Sequence, residues 1–106
     1  MWLFFAILKN ETVTEKMLSA MLELELTDAA VVDGEAVENM AARTFELFSE
    51  VGRLFSERLR YNRVLICKLP DRSVADDLAR LCRDDGLDLT DPETGFFMMI
   101  PCEPWP

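Results

Sequence analysis

The sequence predicts an α+β domain: two strand–helix–strand halves forming one antiparallel sheet, with a helical insert between the second and third strands. Three observations carry this. Short apolar runs stand at residues 2–8, 28–33, 63–69 and 96–100. Segments of helical period separate the first run from the second and the third from the fourth. A longer amphipathic stretch at about 36–60 fills the middle.

The first run, Trp2-Leu3-Phe4-Phe5-Ala6-Ile7-Leu8, is uninterrupted. A strand buried on both faces reads this way. Asn10 and Thr12 then signal a helix start, and Thr12-Val13-Thr14-Glu15 fits a capping box. Val13, Met17, Ala20, Met21 and Leu24 follow at helical spacing. Ala29-Ala30-Val31-Val32 predicts a short second strand, suited to a sheet edge, and Asp33-Gly34 ends it.

From 36 to 60, Val37, Ala41, Phe45, Phe48, Val51, Phe55 and Leu59 recur in steps of three and four. That is one amphipathic helix, or two broken near Gly52. Val64-Leu65-Ile66-Cys67-Lys68-Leu69 is the third strand, ended by Pro70. Asp71 or Ser73 caps the next helix, which carries Val74, Leu78, Leu81 and Cys82 and stops near Gly86. A turn-rich loop leads to the last strand, Phe96-Phe97-Met98-Met99-Ile100, closed by Pro101. Two such halves make the split βαβ, or ferredoxin-like, arrangement, with the first and third strands at its centre.

The 106 residues form one domain, 1–106. Twenty Asp and Glu against 11 Lys and Arg give a net charge of −9, which argues against nucleic acid and anionic membranes as partners. The first apolar run lacks a basic leader and a cleavage site, and no run approaches the ~20 residues of a membrane helix. No membrane insertion and a cytoplasmic location are expected. Cys67, Cys82 and Cys102 show no metal-binding spacing and read as small buried hydrophobes in a reducing compartment.

No catalytic set is present. The chain has no His, no nucleophile elbow, and no phosphate or dinucleotide loop. An enzyme, a cofactor and a resident metal are therefore not expected. Asp84, Asp85, Asp88, Asp91 and Glu93 lack the spacing of a calcium loop and read as solvated acids. Positive charge gathers at Arg53, Arg58, Arg60 and Arg63. Arginine pairs bidentately with phosphate or carboxylate, so Arg58, Arg60 and Arg63, with Lys68 behind them, are candidate anion ligands. Ion pairing with nearby acids is the bland alternative. Phe45, Phe48 and Phe55 are candidate partner contacts, because two helices already cover a sheet face and the insert must bury its stripe elsewhere.

Several short segments carry a family resemblance in order along the chain. They are Val31-Val32-Asp33, Phe48 to Phe55, Arg60-Tyr61-Asn62, Pro70-Asp71, and Asp91-Pro92-Glu93-Thr94-Gly95-Phe96-Phe97 leading to Ile100-Pro101. Over nearly its whole length the chain resembles the PII-like group, relatives of the nitrogen-regulatory PII signalling proteins. The resemblance implies a homotrimer with its sheets facing the threefold axis and ligand clefts between subunits. It also implies that the segment after the second strand engages a partner such as a transporter or a metabolic enzyme. A small anionic effector in the intersubunit cleft would tune that contact. The lysine-bearing phosphate turn of that family has no counterpart, since residues 84–106 contain no Lys or Arg. The alternative is a divalent-metal-binding or tolerance protein on the same trimeric scaffold, using the acids of 84–93 and Cys102.

Overall fold

A computed structural model describes residues 1–34 and 62–106. The helical insert expected at 36–60 lies outside the described residues, and with it Phe45, Phe48, Phe55, Arg58 and Arg60. The described chain is a small α+β unit. Its elements are β1 (Trp2–Leu8), α1 (Glu11–Glu23), β2 (Ala29–Asp33), β3 (Arg63–Leu69), α2 (Arg72–Asp84) and β4 (Gly95–Pro101). The four strands form one sheet in the order β2-β3-β1-β4. Every neighbouring pair is antiparallel.

Burial alternates along the central strands with the period of two that a pleated sheet imposes. Phe4, Ala6 and Leu8 of β1 and Leu65, Cys67 and Leu69 of β3 are buried. They meet Val13, Met17, Ala20 and Met21 of α1 and Leu78 and Cys82 of α2 in one core. The helices touch through sulfur, Cys82 Sγ lying 3.7 Å from Met17 Sδ. Phe97 of β4 stacks on Phe4, with ring centroids 6.4 Å apart. Each fully buried Leu here contributes roughly 1.5–3 kcal/mol relative to an exposed one.

Local chemistry sets the ends of the elements. Asn10, in extended conformation, is the N-cap of α1, and its Oδ1 accepts from the Val13 amide at 2.9 Å. This displaces the capping box expected at Thr12, because a cap at Asn10 already satisfies the third amide of the helix. Asp71 caps α2, accepting from the Ser73 amide at 2.8 Å and from its hydroxyl. Gly86 ends α2 at φ +86°. Its amide reaches the Arg83 carbonyl and the Leu87 amide reaches that of Cys82, each at 3.0 Å. That pair of bonds is a Schellman motif, whose left-handed residue favours glycine. Gly95 opens β4 at φ +154°, and a Cβ there would collide with the Ile7 carbonyl oxygen.

Candidate functional site: the bare sheet face

Both described helices lie on one side of the sheet. The other side is built by the alternate residues of all four strands, and strand register sorts them into rows. Val32, Val64, Ile7 and Phe96 form the first row. Ala30, Ile66, Phe5 and Met98 form the second. Lys68, Leu3 and Ile100 form the third. The hydrophobic core contains none of them. Phe96 is 50% exposed, Val32 52%, Met98 41% and Ile66 39%. Scattered exposed apolar residues are ordinary, and a contiguous patch of this kind makes the face the candidate site.

The face is electrically quiet. Lys68 is the single charged residue in the three rows, and its Nζ lies 3.0 Å from Asp28 Oδ2. Most acids of the described chain stand on the helices and in the loops, with Asp28 beside Lys68 at the edge of the third row. Among its described residues, a chain of net charge −9 thus carries a largely apolar surface on this side of the sheet.

Two of the sequence-predicted anion ligands are described. Arg63 begins β3 and forms an ion pair with Asp33, its cross-strand partner. Lys68 is paired with Asp28. Arg63 and Lys68 differ in strand parity, so Lys68 belongs to the bare side and Arg63 to the helix side. The sheet does not bring these two together into one site.

The acidic loop is occupied with its own turns. Asp88 Oδ1 accepts from the Thr90 amide at 3.0 Å and from its hydroxyl at 2.6 Å. Thr90's hydroxyl, then its amide, hold the Asp88 carboxyl below its ordinary value. Asp91 Oδ1 accepts from the Glu93 amide at 2.9 Å. Among the described residues no three acidic or cysteine side chains converge as metal ligands. Between the helices, Lys16, Ser19, Glu23, Asp84 and Asp85 line a shallow groove. Lys16 Nζ donates to the Asp85 carbonyl at 2.8 Å, covering the end of α2 where the helix dipole favours a cation.

The cysteines are free thiols. Burial, with Asp85 nearby, pushes the Cys82 thiol up to about 11. Burial also raises that of Cys67, again with an aspartate, Asp28, adding to it. Cys102 is the more accessible, just beyond β4.

The bare face was signalled by the sequence without being named. β1 and β4 read as continuous apolar runs, and such strands call for cover on both faces. The described helices cover one. No family model matches the chain, and no curated protein matches it. No helix among the described residues is long and apolar enough to cross a membrane.

Proposed function

We propose that this chain is a small PII-like regulatory protein of ferredoxin-like fold that assembles as a homotrimer and acts by binding. The observation that supports the reading best is the bare face: three rows of side chains, apolar but for Lys68, on a sheet ordered β2-β3-β1-β4, in a chain otherwise strongly acidic. Three copies turned inward cover those rows, and cyclic closure leaves no copy with the face exposed. Residues 35–61 leave the sheet at the end marked by Asp33 and Arg63, so a cyclic assembly presents all its inserts at one end. There the insert, with Phe45, Phe48 and Phe55, engages a transporter or metabolic enzyme. A small anion bound between subunits near Arg58 and Arg60 tunes that contact. Three free thiols suit the reducing cytoplasm.

The test is the mass in solution, by light scattering and native mass spectrometry at micromolar concentration. A trimer supports the reading, and a clean monomer ends it. A thermal-shift screen against adenine nucleotides, bicarbonate and common metabolites then finds the effector, because a ligand of the native state raises its melting temperature.

A further inference from the structure

We draw no further inference here: the strongest candidate, the groove between α1 and α2 lined by Lys16, Ser19, Glu23, Asp84 and Asp85, is an acidic side-chain cluster with no second observation that points to a ligand.

Discussion

The Gly34 amide donates to the Asn62 carbonyl at 2.8 Å, one step beyond the end of β2 and one before the start of β3. Asp33 and Arg63 pair beside it. These contacts hold Gly34 and Asn62, the residues that flank 35–61, side by side, so the described sheet is joined at that end by its own backbone. A two-residue Asn-Gly turn matches the twist of an antiparallel pair and fits between Gly34 and Asn62. Replacing 35–61 by Asn-Gly is expected to leave a chain that melts cooperatively, with its far-ultraviolet circular dichroism still of mixed α and β type. A chain that shows no thermal transition would mean that the core needs the insert.

Much of this was legible in the sequence, for physical reasons that differ by element. β1 and β3 are the most continuously apolar runs, and they take the two central places, where a strand has a neighbour on each edge. Asp71 and Gly86 are residue types with little choice of role beside a helix, and they became its cap and its stop. The start of α1 was harder, since Asn10 and Thr12 are both good caps and only the backbone path decides between them. Ion-pair partners were not legible at all. Arg63 and Lys68 pair with Asp33 and Asp28 because strand register sets them opposite or nearby, and register is not written in local spacing.

Glu25 ends α1 in the left-handed region, at φ +58°. Its amide bonds to the Leu22 carbonyl and the Leu26 amide to that of Met21, the same closing pattern that Gly86 makes after α2. A residue with a Cβ sits in that region at a cost of ~1–2 kcal/mol, whereas glycine gives back ~0.5–1 kcal/mol in backbone entropy. Glu25→Gly is therefore expected to stabilise the fold by about 0.5–1 kcal/mol in urea denaturation. An unchanged or lower midpoint would contradict it.

Asp71 gives a pH dependence of known sign. Hydrogen bonds from the Ser73 hydroxyl and then its amide lower its carboxyl from the ordinary value of 3.8. A depressed acid stabilises the fold while ionised, and that contribution is lost as pH falls through its folded value. Asn at this position keeps an acceptor for the helix amides but does not titrate. The gap in melting temperature between wild type and Asp71→Asn should be constant above pH 3.8 and narrow below it. A gap that stays flat into acid would sink the assignment.

The thiols divide by burial. Cys67 and Cys82 are 1% and 0% exposed, and their thiolates are disfavoured as well as hidden. A thiol reagent needs both access and thiolate. At neutral pH in native buffer, Cys102 should react first and alone, with Cys67 and Cys82 following only in denaturant. Peptide mapping after alkylation reads this directly. Early labelling of Cys82 would show that the contact between the helices opens far more often than its packing implies.

Met98 and Ile66 occupy the second row of the bare face, with Phe5 between them. Neither belongs to the core, so a charge at either costs the isolated fold little. In an assembly that buries the row, Met98→Glu or Ile66→Glu places an unpaired carboxylate in an apolar contact, at a cost of several kcal/mol per copy. Each variant is expected to run as a monomer at concentrations where the wild type is assembled. Its circular dichroism should be unchanged, and its melting temperature lower by the loss of assembly alone. Phe96→Glu, in the next row, serves as an independent repeat. If the wild type is a trimer and all three variants remain trimers, copies meet through some other surface, and the bare face is left for a different partner. If the wild type assembles as a dimer that the variants dissociate, the face is the contact and the threefold closure is wrong.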